Sequence, residues 1–338
     1  FKYDKILIKI WLYFLYKYIK ILLIKVFMKL NNSFKLAIAN FSLFWKIFLY
    51  KIIAFGVSLL FTLPVWRVLK HTFYNSGFNA LIKRLFTNAT FISIPELMGQ
   101  ILDIIKAFFS GVASLASNNV FVLIYLVILL FIIVPFLFKL SDVPASECAY
   151  SYMSSLNKSS FTINFITMLD KSMGYSILRA VMEIPFWFAF IGGIYGILCL
   201  GTLNSAMAIF APMILFVFVV SMIALNFSFF NGFAPSVVVF NTCASRAFGK
   251  GIKALRRNFF SVLSSFIVVI VVSVCLLYLF GVYALIVEIP ILALVNAIFG
   301  QVLFFESQGM DYYLSPDKII SPRKLECADK MAKMKNII

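Results

Sequence analysis

Charged side chains are scarce in this chain of 338 residues, since Asp, Glu, Lys and Arg together make up only 13% of it. A soluble globular domain carries about 25%. That shortage, beside 63% apolar residues, excludes a disordered chain, a coiled coil and an ordinary soluble enzyme. Several apolar runs reach the roughly 20 residues that a helix needs to cross a bilayer. The sequence therefore predicts an all-α, polytopic integral membrane protein.

Residues that perform catalysis or bind metals are also few. The single histidine, His71, follows an apolar run, and no H-E-x-x-H, G-x-S-x-G or Walker A pattern occurs. The five cysteines form no C-x-x-C pair, which argues against a zinc site or a disulfide framework. We therefore predict no catalytic residue, no cofactor and no metal site, and we do not expect an enzyme.

Acidic residues are the rarer charge, with 13 Asp and Glu against 30 Lys and Arg. In a soluble protein the net charge of +17 would suggest nucleic acid as a partner, but no nucleic-acid-binding motif is present. Lys and Arg crowd the cytoplasmic loops of membrane proteins, where they meet anionic head groups. The predicted partner of the basic loops is therefore the lipid bilayer and not a nucleic acid.

The first 27 residues form no predicted span. They begin with Phe1, and six lysines interrupt the apolar residues before any run reaches spanning length. The segment also lacks the apolar core and cleavage site of a signal peptide. Since Met28 opens a plausible start, we expect 1–27 to be a non-native or upstream extension. The alternative is a basic helix that lies on the membrane.

Six apolar segments predict six membrane-spanning helices, with Lys51 in the first expected to reach toward the membrane surface. A basic tail, 307–338, follows them, with turn signals at 315–317 and 321–323. The second loop, the fourth loop and the tail contain 15 of the 30 Lys and Arg residues, which places both termini in the cytoplasm. The first loop is basic too, but its length weakens the rule. The spans lie at about 47–66, 119–138, 180–201, 206–230, 260–280 and 284–305.

The first loop contains a further predicted helix. Residues 93–96, with the sequence SIPE, have the order of a capping box with Pro in the first turn. Apolar residues then recur at helical spacing as far as Phe109, and polar residues fall largely on the other side. This pattern predicts an extracytoplasmic amphipathic helix near 94–109, either lying on the membrane or packed over the spans.

The second and fourth loops resemble each other. Pro144-Ala145-Ser146 follows the second span, and Pro235-Ser236 follows the fourth. Each loop continues through a short amphipathic stretch and a basic turn into the next span. A parallel duplication, as found in other membrane proteins, would produce this pattern. Chance similarity between two apolar segments is the alternative.

The second half of the chain resembles a known type of membrane protein. Pro235 after a span, the basic turn at 247–259 and the sequence GMDYY at 309–313 are similar to uncharacterised polytopic families of Gram-positive, clostridial-type bacteria. They also resemble the membrane domain attached to some glycerophosphodiester phosphodiesterases. No soluble phosphodiesterase domain is present, so the resemblance implies an architecture and a bacterial plasma membrane, without an activity.

Charged residues inside or beside the spans are the candidate functional residues, because burying a charge is costly. Glu288 lies a few residues into the sixth span, and Pro290 would free a backbone carbonyl one turn earlier. We interpret this pair as a proton, cation or substrate site, or else as an interfacial carboxylate. Arg179 and Glu183 share a face at the head of the third span, where they form a functional pair or a local ion pair.

Small and polar residues complete the candidates. Gly192 and Gly196 form a G-x-x-x-G motif, which predicts helix packing within or between chains. Other polar or kinking residues either line a cavity or bond to neighbouring helices, namely Pro212, Asn226, Ser228, Asn296 and Gln301.

Three functions fit these features. The sequence slightly favours a transporter or permease-like protein for a small molecule or lipid. The alternative is a non-catalytic membrane scaffold or accessory subunit that binds a partner protein or forms a homo-oligomer. A lipid-acting enzyme comes last, because no cluster of acids and histidine faces one leaflet.

Overall fold

The computed structural model describes residues 29–88, 94–203, 205–280, 283–322 and Lys324. This part is almost entirely helical, which confirms the all-α class. A 3-10 turn (Leu63–Val65) joins α2 to α3, a π-helical turn (Leu129–Ile133) joins α6 to α7, and the strands β1 (Tyr312–Ser315) and β2 (Lys318–Ile320) follow α14. The helices are α1 (29–39), α2 (Ser42–Thr62), α3 (Trp66–Asn75), α4 (Phe78–Asn88), α5 (Ile94–Asn118), α6 (Val120–Ile128), α7 (Val134–Lys139), α8 (Asp142–Ser155), α9 (Phe161–Thr167), α10 (Leu169–Leu203), α11 (Ser205–Phe230), α12 (Phe233–Phe240), α13 (Ala244–Phe280) and α14 (Tyr283–Gln308).

Within the described ranges, seven helices are long and apolar enough to cross a membrane. Six of them overlap the six predicted spans. Asn204, between the third and fourth predicted spans, and Gly281, between the fifth and sixth, lie outside the described residues. The seven segments are Ser42–Asn75, Gly99–Asn118, Val120–Ser155, Leu169–Gly201, Phe210–Phe240, Asn258–Leu276 and Glu288–Gln308.

The seventh segment is part of α5, the helix that we predicted near 94–109. It continues to Asn118 because Gly111 allows a close approach to Phe73, where a Cβ atom would lie 2.9 Å from the ring. Among the seven segments it has the lowest mean hydropathy, and Asp103 and Lys106 are exposed on it. The predicted capping box at 93–96 lies outside the residues whose side chains are described.

The chain divides into two compact units, which alternate along the sequence. The first unit comprises Phe1–Phe48, Ser141–Tyr175 and Phe227–Ile338. The second unit comprises Leu49–Leu140 and Ser176–Asn226.

In the first unit, α14 is the central helix. Most of its apolar segment is buried, far more than in the other spanning-length helices. Phe299 is completely buried and meets Phe266 of α13 edge to face, with ring centroids 5.2 Å apart. Phe305 packs beside Tyr150 of α8. The helices α8, α12 and α13 all pack against α14, which therefore forms the core of this unit.

The two similar loops fold into a similar order of elements. The second loop forms α8, which ends on Leu156 with a φ of 59°. The fourth loop forms α12, which ends on Asn241 with a φ of 49°. A long helix follows in each case, α10 after the short α9 and α13 directly. The helices α8 and α12 also pack against each other within the first unit.

The beginning of the tail is packed and not solvated. Strands β1 and β2 form an antiparallel hairpin across the turn predicted at 315–317. Tyr312 is only 1% exposed, and its hydroxyl donates to Glu306 Oε1 at 3.2 Å. Burial, with the nearby Glu306 carboxylate, raises the pKa of Tyr312 well above its ordinary value. The Lys-rich end of the tail, 325–338, lies outside the described residues.

In the second unit, α2 runs antiparallel to α6 and α7. Near the start of α6, the hydroxyl of Tyr125 donates to the carbonyl of Phe61, near the end of α2, at 2.6 Å. Near the end of α7, the carbonyl of Phe138 accepts from Lys51 of α2. Lys51 is buried against the chain, and its contact lies at the end of α7, where a cation is favoured. That Lys51 reaches toward the membrane surface stays a prediction.

Helix α10 is also antiparallel to α6 and α7. The rings of Phe131 and Phe188 stack with centroids 5.8 Å apart. At the end of α7, the Nζ of Lys139 lies 3.2 Å from Oε1 of Glu183 on α10. The start of α6 and the end of α10 therefore lie at the same end of this unit.

Leu102, in the first half of α5, and the C-terminal end of α5 lie near that same end. Leu102 packs against Leu198 of α10 and Ala211 of α11. Both partners lie within about 10 Å of the α10–α11 connection, measured along their helices. At its C-terminal end, α5 is separated from α6 only by Asn119. This part of α5 therefore lies across the end of the second unit.

Candidate functional site

The predicted pair on α10 forms a buried ion cluster. Arg179 Nε donates to Glu183 Oε1 at 2.8 Å, and the two residues are 2% and 3% exposed. Lys139, at the end of α7, lies 3.2 Å from the same oxygen. One carboxylate therefore faces two cations, because the antiparallel packing of α7 and α10 brings Lys139 to it. This arrangement is the local ion pair of our alternative interpretation, extended by a third residue that the sequence analysis did not include.

Glu288 lies in a different environment. It is 7% exposed, and its Oε1 has no hydrogen-bond partner among the described residues. Pro290 is buried two residues later, inside the continuous helix α14. Because proline has no N–H, the backbone carbonyl of Ile286 loses its partner one turn earlier. Glu288 is therefore a buried carboxylate beside a weakened turn.

Two further polar groups follow along α14. Gln301 is completely buried, and its Nε2 donates to Ser146 Oγ at 2.7 Å and to the Ser146 carbonyl at 3.1 Å. Its Oε1 and the Oδ1 of Asn296 have no partner in the described part of the chain. The central helix of the first unit therefore carries three side-chain oxygen atoms, on Glu288, Asn296 and Gln301, that have no hydrogen-bond partner among the described residues.

The bonding partner of Gln301 lies in one of the two similar loops. Ser146 lies near the start of α8, directly after Pro144 and Ala145. In α12, Pro235 lies against the same helix, since a Cβ atom at Gly300 would be 3.5 Å from its ring. The starts of both short helices thus contact adjacent residues of α14.

The predicted G-x-x-x-G motif does not pack within the described chain. A Cβ atom at Gly192 or Gly196 would meet nothing within 4 Å. The close contact on α10 is instead at Gly193, where a Cβ atom would lie 2.7 Å from Cε1 of Phe218 on α11. Packing of Gly192 and Gly196 between chains stays a prediction. Sequence spacing alone could not distinguish Gly193 from its neighbours.

Groups for metal binding or catalysis do not cluster in the described ranges. No three His, Cys, Asp or Glu side chains there lie close enough together to hold a metal ion. The imidazole of His71 is exposed and lies within hydrogen-bonding distance of Asn75. What the geometry offers is therefore neutral and anionic oxygen atoms in an apolar helix, which suit binding.

Comparison with known proteins adds no relative. No family model matches the chain, and no curated protein or solved structure matches it either. The resemblance to the membrane domain of glycerophosphodiester phosphodiesterases therefore stays a prediction.

Proposed function

We propose that this membrane protein is a transporter or permease-like carrier of a small polar molecule or a lipid head group. The observation that carries the proposal is the polarity of α14, the most buried spanning-length helix. On this helix, Glu288, Asn296 and Gln301 each carry a side-chain oxygen that has no hydrogen-bond partner among the described residues. A buried polar group that lacks a hydrogen bond costs free energy, so a ligand that supplies donors would bind favourably there.

The two short helices support the same proposal. Transporters built from repeats place their substrate sites where interrupted helices occupy corresponding positions. Here α8 and α12 follow the two Pro-Ser segments, and Ser146 and Pro235 contact α14 at adjacent residues. Pro290 further weakens the turn of α14 from Ile286 to Pro290, which contains Glu288. A ligand bound along α14 would therefore contact α8, α12 and the weakened turn of α14, and these elements can move.

We also infer that six helices cross a bacterial plasma membrane, with both termini in the cytoplasm. The position of α5 supports this number, because Leu102 and the C-terminal end of α5 both lie near the end of the second unit where α10 ends and α6 begins. A helix that lies across one end of the unit adds no crossing. The Lys and Arg residues of the second and fourth loops then face the cytoplasm, where anionic head groups attract them.

Native mass spectrometry of the full chain in mild detergent tests the proposal. We expect a small molecule or lipid bound in a one-to-one ratio, and we expect Glu288→Gln to lose it. Asp103→Asn is the matched control, because Asp103 is an exposed carboxylate on α5. Retention of the same molecule by all three proteins, or by none, would contradict a site at Glu288.

A scaffold role is the second candidate, and one observation favours it. The surface around Gly192 and Gly196 on α10 is open, so a helix of another chain could approach the backbone closely there. A stoichiometric second polypeptide in the same spectra, with no small molecule, would support this role. Its loss in a Gly192→Leu variant would assign the contact to this surface.

A further inference from the structure

Helices α3, α4 and α5 form a small bundle within the second unit, and each of the three packs against the other two. Aromatic rings hold them together. The ring centroid of Phe73 on α3 lies 5.3 Å from that of Phe78 on α4 and 5.5 Å from that of Phe108 on α5. Gly111 of α5 also brings its backbone against Phe73. These contacts determine which face of α3 points into the α3–α5 bundle.

Another face of α3 is exposed and carries cations. Counted from its first residue, the members of this face lie at positions i, i+3, i+4 and i+7, so they share one side of the helix. All four are exposed in the structure, namely Arg67, Lys70, His71 and Tyr74. The helix is therefore amphipathic, with Phe73 packed inside the bundle and basic residues outside.

The other two helices of the bundle expose cations as well. Lys83 and Arg84 are exposed on α4, and Lys106 is exposed on α5 together with Asp103. Residues 67–118 contain five Lys and Arg against two Asp and Glu, which leaves a net charge of +3. The six-crossing topology places this loop on the side of the membrane where Lys and Arg are usually scarce. An anionic partner on that side would account for them.

The start of α3 lies where the hydrocarbon core of a bilayer ends. Helix α2 has 21 residues, which at 1.5 Å per residue give about 31 Å, close to the thickness of that core. The turn at Leu63–Val65 and then α3 follow directly. Trp66 is 57% exposed at this point, and Tyr74 is 73% exposed near the end of α3. Trp and Tyr are enriched at the level of the lipid head groups, so α3 has the composition of an interfacial helix.

We propose that the exposed residues of α3 bind anionic phospholipid head groups. Arg67 and Lys70 attract the phosphates, while the rings of Trp66 and Tyr74 occupy the boundary between head groups and acyl chains. A soluble polyanion would match the cations but would leave the exposed Trp66 in water. These head groups belong to the outer leaflet if six helices cross the membrane. Binding of the lipid itself depends neither on that topology nor on the transport role of α14.

Photocrosslinking in vesicles tests this proposal at the helix itself. The full chain is reconstituted with phosphatidylglycerol or phosphatidylcholine that carries a diazirine at the start of one acyl chain, and the labelled peptides are identified by mass spectrometry. The ratio of phosphatidylglycerol to phosphatidylcholine label on α3 should exceed the ratio of the two lipids in the vesicle. Each cation near the surface contributes about fivefold, so the double variant Arg67→Gln, Lys70→Gln should lose about that factor for each cation removed.

Two controls separate charge from shape and from general binding. The double variant Arg67→Lys, Lys70→Arg keeps both charges and should keep the ratio. The peptide of α13 that contains the exposed Lys253 and Arg256 should give the same ratio in all samples. An unchanged ratio on α3 after removal of both charges, or an equal loss in the charge-preserving variant, would overturn the proposal. So would displacement of the lipid from α3 alone by soluble polyphosphate, which would assign the surface to a soluble polyanion.

Discussion

Glu183 and Glu288 are both buried, but their surroundings differ. Glu183 accepts from Arg179 and Lys139, so its charge is compensated inside the second unit. Glu288 Oε1 has no partner in the described part of the first unit. An isolated charge in an apolar environment is far costlier than a paired one. We therefore interpret Glu183 as a structural residue, and our proposal for ligand binding rests on Glu288.

Substitution of Glu183 tests the structural role. Glu183→Gln leaves two cations without their carboxylate, and removing one partner of a buried pair typically costs about 3–5 kcal/mol. We expect a marked fall in the temperature of thermal unfolding in detergent. Asp103→Asn, at an exposed position, should change stability by less than about 0.5 kcal/mol. Equal unfolding temperatures for the two variants would contradict a buried cluster.

Some of these side-chain contacts can be predicted from the sequence. Arg179 and Glu183 are four residues apart on one helix, so their pairing is predictable from helical periodicity. Lys139 belongs to another helix, and its contact depends on how α7 and α10 are aligned. The same limit applies to Gly193, whose role depends on Phe218 of α11. Contacts between distant segments are not encoded in local spacing.

At the scale of elements, α12 and α13 are held together by a glycine contact. A Cβ atom at Gly251 would lie 2.9 Å from the backbone carbon and oxygen of Gly232. Backbone atoms cannot rotate away as a side chain can. The start of α12 and the first half of α13 therefore require glycine at this contact.

Two substitutions in α13 separate this contact from helix propensity. Gly251→Ala should destabilise the protein by about 1–3 kcal/mol, because α12 and α13 must move apart. Gly249→Ala lies in the same helix and meets nothing within 4 Å, so it should be neutral or stabilising by up to about 1 kcal/mol. The thermal unfolding temperatures of the two variants distinguish the backbone contact from helix propensity. An equal effect of the two substitutions would show that the backbones are not in contact.

Most elements follow from apolar run lengths, which is why all six predicted spans overlap helices of the structure. The length of α5 was harder to predict, because Gly111 and the serines after it resemble a helix end. Gly111 is retained in the helix through its contact with Phe73, a residue of α3. The tail hairpin was missed for a similar reason, since only its turn has a local signal and its packing depends on Glu306 and Asn32.

For the whole molecule, the decisive structural question is the number of crossings. Seven helices of the described chain have the length and apolarity to span, and seven crossings would place the termini on opposite sides. Leu102 and the C-terminal end of α5 lie at the same end of the second unit, and this position favours six crossings. The distribution of Lys and Arg favours the same topology.

Cysteine labelling from each side of sealed membranes tests this topology. In a background without the native cysteines, a membrane-impermeant maleimide should reach Asp103→Cys and Asn119→Cys from the same side. Lys318→Cys, at the hairpin after α14, should be labelled from the opposite side. Labelling of Asp103→Cys and Asn119→Cys from opposite sides would mean that α5 crosses the membrane and that our topology is wrong.

The central claim is that polar groups on α14 carry a ligand across the membrane, and vesicle uptake tests it most directly. Proteoliposomes are incubated with a polar extract of the expression host, and their contents are identified by mass spectrometry. We predict that at least one compound accumulates with wild-type protein and with Asp103→Asn, and that accumulation falls about tenfold or more in Glu288→Gln. Identical contents in these three samples and in protein-free vesicles would contradict the account.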